Sequence, residues 1–467
     1  MRLSAAPGAP GAIALSVLLV AGCQSYSPMK PDLAAHHSAW LARDPKTAAV
    51  QPYLEELGKS HGSVGRLYMP HGGLSLRDAE VVALVFNPQL RVARLKANIP
   101  VMGAKEAGRW DDPELDLELL RFVENMDKPW VLATAISFTI PISGRLAMAR
   151  DKAIAEADVE VRRASLEESS TLKDLRSAWL EWSATLQRIT LSEQYQAMID
   201  EAARLAGQQR KFGKISTTAE RAILIEQATQ QGKLDGLRAE AAQQELTIKT
   251  ILGLAPQADV KLIPLLSVPS APAAVGDALA ALSHPRILLA AAEYEVAEHA
   301  LRLEIRKQFP DLKIGPASEW EEGNWKAGLT LSVPIPVFNG NRREIAEARA
   351  ARDAAMAALE AEYESLLQEA AQARARLAAS RQRKAHIEAN VAPLIDEQLA
   401  DLKKQADLGA IDVLLTLESL TRAYETKLTA LEAHLDEAQA ATRLRWLIDP
   451  PPSTPVLKNL SNKEPLR

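Results

Sequence analysis

Apolar and polar residues alternate with a period of two in the stretch from Phe309 to Arg343. The apolar set is Trp325, Ala327, Leu329, Leu331 and Val333, and the intervening set is Lys326, Gly328, Thr330 and Ser332. Because successive side chains of a strand point to opposite faces, the two sets lie on opposite faces. Leu312 and Ile314 begin a weaker pattern of the same kind. The stretch predicts two strands, about residues 310–319 and 325–336, joined by a short polar turn.

Two earlier segments, residues 113–122 and 130–141, have the same design. Each approaches the roughly 9–11 residues with which a tilted strand crosses a bilayer. Aromatic residues stand at both ends of the strands: Trp130, Trp320 and Trp325 at the turn ends, and Phe138, Phe309 and Phe338 at the opposite ends. Two aromatic belts around an apolar band are typical of a membrane barrel. We therefore predict four membrane strands; hairpins that pack on helices in water are the alternative.

A helical period of three and four residues fills the segments around the first strand pair. Leu74–Arg109 is predicted as a helix with Ser75 as its N-cap and a kink at Asn87 and Pro88. Arg145–Arg210 predicts a helix of about 100 Å at the α-helical rise. Gly213 interrupts it, and a capping box of Thr217 and Glu220 starts a return helix that ends at Gly253.

The same plan follows a second time after a Pro-rich linker at residues 254–275. A helix over Ala278–Lys307 precedes the second strand pair. Arg342–Ala406 then predicts a long helix, Gly409 interrupts it, and Ile411–Ile448 returns along a coiled-coil seam. We infer an internal duplication, with repeats at residues 74–253 and 276–448 and a Pro-rich tail at 449–467.

The N-terminus is a targeting segment. Residues 1–22 have a short apolar core, Ala12–Ala21, which is too short to span a membrane as a helix. Val20, Ala21, Gly22 and Cys23 resemble the lipobox of bacterial lipoproteins. The resemblance implies cleavage before Cys23, acylation of its thiol and, because Gln24 follows, outer-membrane sorting. Residues 23–73 are then an extended, lipid-anchored leader.

Composition narrows the classes of function. The chain has 467 residues, a net charge of −5 and one cysteine, so neither a nucleic-acid partner nor a disulfide framework is indicated. No apolar run is long enough for a transmembrane helix. Zinc-protease, paired-cysteine and nucleophile-elbow motifs are absent, and the adjacent His36 and His37 lack a third ligand. We expect no enzyme, metal site or cofactor.

Four strands cannot close a barrel on their own. In lipid, each open edge would leave backbone groups without hydrogen bonds, so the spanning strands must belong to a closed barrel. Closed barrels have about eight strands or more, so at least two chains must associate, and three would enclose a wider lumen.

The order of short motifs resembles the TolC-type outer membrane factor family. The matching residues occur in pairs, one per repeat: Asn87–Leu90 and His284–Ile287, the strand ends Thr139–Gly144 and Val333–Gly340, and the hairpin tips at Gly213 and Gly409. The resemblance covers about residues 74–448. It implies a mainly α protein with membrane β, a homotrimer, a barrel of about 12 strands and a long periplasmic α-barrel. Its implied role is a passive exit duct for a tripartite efflux pump or type I secretion system.

Both hairpin tips are candidate docking surfaces for the periplasmic adaptor, which links the duct to an inner-membrane pump. They comprise Phe212, Gly213, Lys214, Ile215, Ser216, Leu408, Gly409, Ala410, Ile411 and Asp412. Asp407 and Asp412 are candidates for a charged constriction of the pore, and an N-cap is the other role open to Asp412. The alternative function is an adaptor-like periplasmic lipoprotein with hairpins as spacers. The cargo is not identified by the sequence.

Overall fold

A computed structural model describes residues 26–45, 50, 72–123, 130–270, 281–321, 324–407 and 413–450. The chain divides into two units, Met1–Arg43 and Asp44–Arg467. The described helices and strands are, in order, α1 Leu33–Leu41, α2 Leu76–Phe86, α3 Pro88–Glu106, β1 Glu114–Arg121, β2 Trp130–Ile140, α4 Arg145–Lys211, α5 Thr217–Ile251, α6 Pro285–Arg306, β3 Leu312–Glu321, β4 Asn324–Ser332, α7 Arg342–His386, a π-helix at Ile387–Val391, α8 Ala392–Asp407 and α9 Val413–Ile448.

Several sequence predictions lie outside the described residues. These are the signal segment with Cys23, the second hairpin tip Leu408–Asp412 and the tail after residue 450. Within the described part, no helix is long and apolar enough to cross a membrane.

The described residues of the first unit form one short helix, α1. Asp32 caps it, because its Oδ1 accepts a hydrogen bond of 2.9 Å from the backbone N–H of Ala35. The prediction of an extended leader is therefore wrong for residues 33–41.

The predicted kink at Asn87 is a full break between α2 and α3. The Asn87 side-chain oxygen accepts the N–H groups of Gln89 and Leu90 at 2.8 and 3.0 Å, and its amide donates to the carbonyl of Ile251 at 2.8 Å. Pro88 takes the first helical position, where its missing N–H costs nothing. Ser75 caps α2 in a capping box with Asp78, as predicted for the cap position.

The long helix α4 is the element against which most of the fold packs. Helices α3 and α6 contact it together with α5 and α9. Apolar clusters centred on Trp179 and Leu252 and on Tyr195 and Ile199 hold α5 and α9 against α4. Leu90 with Leu172, and Ala97 with Ala164, hold α3 against α4. A further cluster, centred on Leu366 and Trp446, joins α7 to α9.

The predicted linker contributes to the core. Leu254 and Leu262 are buried against Trp179, whose indole N–H donates to the carbonyl of Ile263 at 3.2 Å. Leu74 pairs with this segment, donating its N–H to Lys261 O at 2.7 Å and accepting from Ile263 N at 3.0 Å. The segment therefore contributes Leu254 and Leu262 to the core that α2, α4 and α5 share.

The four strands form one antiparallel sheet in the order β1-β2-β3-β4. Glu114 pairs with Ser137, Ile140 with Leu312, and Lys313 with Ser332. Most predicted strand ends lie within two residues of the observed ones, but β4 ends at Ser332 and not at residue 336. Pro334 and Pro336 have no N–H to donate to a sheet, which accounts for the earlier end.

The predicted long helix of the second repeat is interrupted. Between α7 and α8 the backbone forms a π-helix over Ile387–Val391, just before Pro393. Because proline lacks an N–H and clashes with the preceding turn, local rearrangement of the helical hydrogen bonds is expected here.

Candidate functional site

One face of the sheet is apolar and exposed. It carries Leu115, Leu117, Leu119, Leu132, Ile136, Phe138, Leu312, Ile314, Leu329 and Leu331, which the strand register brings to one side. Leu117 and Leu329 are 68% and 78% exposed. Leucine side chains this exposed in the middle of a sheet mark a surface that another apolar phase covers.

The opposite face is polar and charged. It carries Glu114, Asp116, Glu118, Ser137, Thr139, Lys313, Glu319, Glu321, Lys326, Thr330 and Ser332. Lys313 Nζ lies 2.7 Å from Glu114, across the small side chain of Ser137, and Lys326 pairs with both Glu319 and Glu321. The alternation read from β4 is therefore present in all four strands.

Aromatic rings flank the apolar face at both ends. Trp320 and Trp325 are directly paired at the turn end, next to Trp130. The Cζ atom of Arg121 lies 5.6 Å from the centroid of the Trp130 ring, a cation–π contact. Phe309 and Phe338 are 56% and 98% exposed beyond the other end of the strands.

The first hairpin tip is a Schellman turn. Gly213 has a φ of 70°, its N–H donates to Arg210 O at 2.9 Å, and Lys214 N donates to Gln209 O at 2.9 Å. Gly213 thus takes a left-handed conformation at the interruption that the sequence predicts. The predicted cap is wrong by one residue: Ser216 caps α5 by accepting from Ala219 N at 3.1 Å. Glu220 pairs with Arg210 across the turn.

Phe212 is the apolar residue that the first tip exposes, at 80%. Ile215, a member of the predicted docking surface, packs against the cluster of Tyr195 and Ile199. Lys211 and Lys214 are exposed beside Phe212. The tip is therefore an aromatic ring among cations.

Behind this tip, a buried polar layer joins the two hairpins. Tyr195 and Tyr424 stack with ring centroids 4.4 Å apart, and Ser192 bonds to Tyr424 at 3.1 Å. Thr421 lies 2.7 Å from the Tyr195 hydroxyl, and Gln230 donates to Ser192 at 2.6 Å. Burial raises the pKa of Tyr195 to about 12, so its hydroxyl stays protonated. The sequence predicted a coiled-coil seam along this returning helix but did not reveal the polar layer.

His284 caps α6 where Asn87 caps α3. Its Nδ1 accepts the N–H of Arg286 at 3.2 Å, and its ring meets Trp446 edge-on, with centroids 4.9 Å apart. The side chain is fully buried. Burial, and then the charge of Arg286, lowers the pKa of His284 to about 4.

Folding stability is expected to fall as the pH drops from 6.5 towards 4. The unfolded chain binds a proton at His284 in this interval and the folded chain does not, so acid favours unfolding. Above the unfolded pKa the full stability is present. His284→Asn, which copies the cap at Asn87, should reduce the difference between urea midpoints at neutral and acidic pH. An unchanged difference would exclude His284 as its source.

Among the described side chains, no group of three or more His, Cys, Asp or Glu residues could hold a metal ion.

Residues 278–448 match the family model described as outer membrane efflux protein. A search of curated protein sequences gives no match.

Solved structures share the fold over most of the chain. The outer-membrane channel OprN is 15% identical, covering 92% of this chain and 99% of its own, with a TM-score of 0.69. The outer membrane protein VceC from Vibrio cholerae is 14% identical, covering 80% and 96%, with a TM-score of 0.68. The MtrE outer membrane channel of Neisseria gonorrhoeae is 16% identical, covering 80% and 88%, with a TM-score of 0.63.

The fold is that of bacterial outer-membrane channels. The family model described as outer membrane efflux protein covers residues 278–448, and the shared fold extends the likeness over most of the chain. The resemblance read from the sequence is confirmed. Both findings support the expectation of a transport protein of the outer membrane with a periplasmic portion, and not of an enzyme.

Proposed function

We propose that this protein is the outer-membrane exit duct of a tripartite efflux pump or a type I secretion system. Three copies form it, each contributing four strands to one barrel and two helical hairpins to a periplasmic tube. The observation that carries the proposal is the two-faced sheet. Its apolar face suits lipid, its charged face suits a water-filled lumen, and long helices continue from its strands.

Unpaired edges of the sheet support association. β1 pairs only with β2, and β4 only with β3, within the described residues. In lipid, an open edge would leave N–H and C=O groups without partners. If every copy pairs its β4 with β1 of the next copy around a closed ring, no edge stays open.

Exposed apolar residues on α3 support the same conclusion. Val92, Leu95, Ile99 and Met102 recur at steps of three and four and are 47–71% exposed. A row with this spacing fits a helix of a neighbouring copy.

The lipid anchor and the pore constriction belong to the proposal as well. Cys23 tethers the chain to the inner leaflet without spanning it, and the internal duplication gives each copy two equivalent hairpins. Asp407 and Asp412 line the closed mouth of the duct. The competing function, a spacer-like periplasmic lipoprotein, would leave the apolar face of the sheet in water.

Gly213→Val is expected to abolish export while association and outer-membrane level stay normal. A β-branched residue with positive φ costs about 1–3 kcal/mol, and no other described atom lies near enough to oppose a side chain here. The strain therefore changes only the shape of this tip, to which we propose that a periplasmic adaptor binds. Phe212→Ser should weaken export through loss of an apolar contact. An efflux assay beside immunoblotting measures both.

Gly232→Val is the matched control, because Gly232 lies inside α5 with open space around it. It should export normally. Cysteines at Ser216 and at Ala410, in the second tip, should cross-link to the adaptor. Normal export with no cross-link from either cysteine would reject docking and favour the spacer function.

A further inference from the structure

An ion-pair network joins the two hairpins of the sheet where strands become helices. Arg145, the first residue of α4, lies between two aspartates that each precede a strand. Its Nε donates to Asp311 Oδ2 at 2.6 Å, and its Nη2 donates to Asp111 Oδ2 at 2.5 Å. Arg145 thus links the segment after β2 to the residues just before β3 and just before β1.

The segment that follows β4 resembles the one that follows β2, but its arginine has no aspartate partner among the described residues. Gly144 and Asn341 both cap a long helix in the left-handed conformation, with φ of 73° and 55°. Arginine follows each of them, as Arg145 and Arg342. Asn341 is held by its amide, which donates to Glu304 O at 2.8 Å. Arg342 is therefore the positional equivalent of Arg145.

Arg342 has no ion pair with any described residue, whereas Arg343 beside it pairs with Glu347. Arg342 lies where β4, an edge strand of the sheet, leads into α7. A partner for its charge on that side would therefore come from another copy.

We propose that Arg342 binds Asp111 of the partner subunit and closes a ring of alternating arginine and aspartate at the base of the barrel. In the antiparallel sheet, the C-terminal end of β4 and the N-terminal end of β1 lie at the same end. If β4 pairs with β1 of a neighbouring copy, these two strand ends become adjacent. That is the arrangement of β2 and β3, where Arg145 meets Asp311. The inference rests on the proposed association of chains through the sheet, and it names the contact that fixes it.

Cysteines at Asp111 and Arg342 test the contact. In one chain the edge strands lie about 14 Å apart, three strand spacings, which exceeds the reach of a disulfide. A disulfide can therefore form only between copies. Oxidised outer membranes with both cysteines should give a covalent oligomer on non-reducing gels, and each single cysteine should give none.

Arg342→Gln should lower the temperature at which the oligomer dissociates in detergent. Arg343→Gln is the matched control and should leave it unchanged, since Arg343 is 80% exposed and pairs on its own helix. Light scattering of the unmodified protein separates the possible failures. A single-chain mass would reject the proposed function itself. An oligomeric mass with equal dissociation temperatures for the two variants would overturn the Arg342 contact alone.

Discussion

Leu329→Arg is expected to cost about 2–4 kcal/mol of stability in the membrane, the range for arginine on the lipid face near the bilayer midplane. Leu329 lies in the middle of β4, pairs with Pro316 and is 78% exposed on the apolar face. No described side chain could neutralise the new charge there. The measurement is the level of folded protein in outer membranes, with urea titration of the extracted protein.

Thr330→Arg is the matched control for this prediction. Thr330 is the next residue in β4, faces the polar side and pairs with Gly315, so its neighbours leave room for a long side chain. The proposed lumen keeps the new charge in water, and the effect should be small. Equal losses at both positions would reject the assignment of faces.

Arg94→Ala is expected to destabilise the helical part by about 3–5 kcal/mol, because it removes the cation that pairs with a buried carboxylate. Arg94 Nε donates to Glu168 Oε1 at 2.7 Å, and Nη1 donates to Leu84 O at 2.6 Å. The Glu168 side chain is 2% exposed. The denaturant midpoint of the helical circular dichroism signal measures the loss.

The pair of Arg163 and Glu293 provides the control, since its side chains are 51% and 49% exposed. Arg163→Ala should cost about 0–1 kcal/mol, as expected for a surface pair. If both substitutions moved the midpoint equally, burial would not determine the strength of the Arg94 pair.

The strands were predictable because the alternation is local. Trp325, Leu329 and Leu331 of β4 pair with Trp320, Pro316 and Ile314 of β3, so pattern and register agree. β3 was a weaker prediction since Gly315 and Pro316 interrupt its pattern. Gly315 is required by packing, because a Cβ there would lie 1.6 Å from Ile136 O.

The sequence predicted which kinds of residue end the helices but not always the exact position. Glycine favours a turn and asparagine favours an N-cap, so Gly213 and Asn87 were recognised. The choice between Ser216 and Thr217 as the cap of α5 depends on a single residue's backbone angles, which the sequence does not specify. The exposure of Phe212 and burial of Ile215 depend in turn on which side of the turn faces the core.

Contacts between distant segments could not be predicted. Arg145 meets an aspartate 166 residues away, and Tyr195 meets Thr421 across 226 residues. Nothing in the local pattern distinguishes these side chains from those on solvated helix faces. Only the docking of one hairpin against the other brings them together.

Labelling of single cysteines along β4 tests the central claim most directly. Each of residues 326–331 is replaced in turn, with Cys23 the only native cysteine, and intact outer membranes are treated with a membrane-impermeant maleimide. If the sheet lines a water-filled duct in lipid, the cysteines at Lys326, Gly328 and Thr330 react and those at Ala327, Leu329 and Leu331 do not. Labelling of all six positions alike would show that both faces lie in water, and would contradict the membrane-spanning duct.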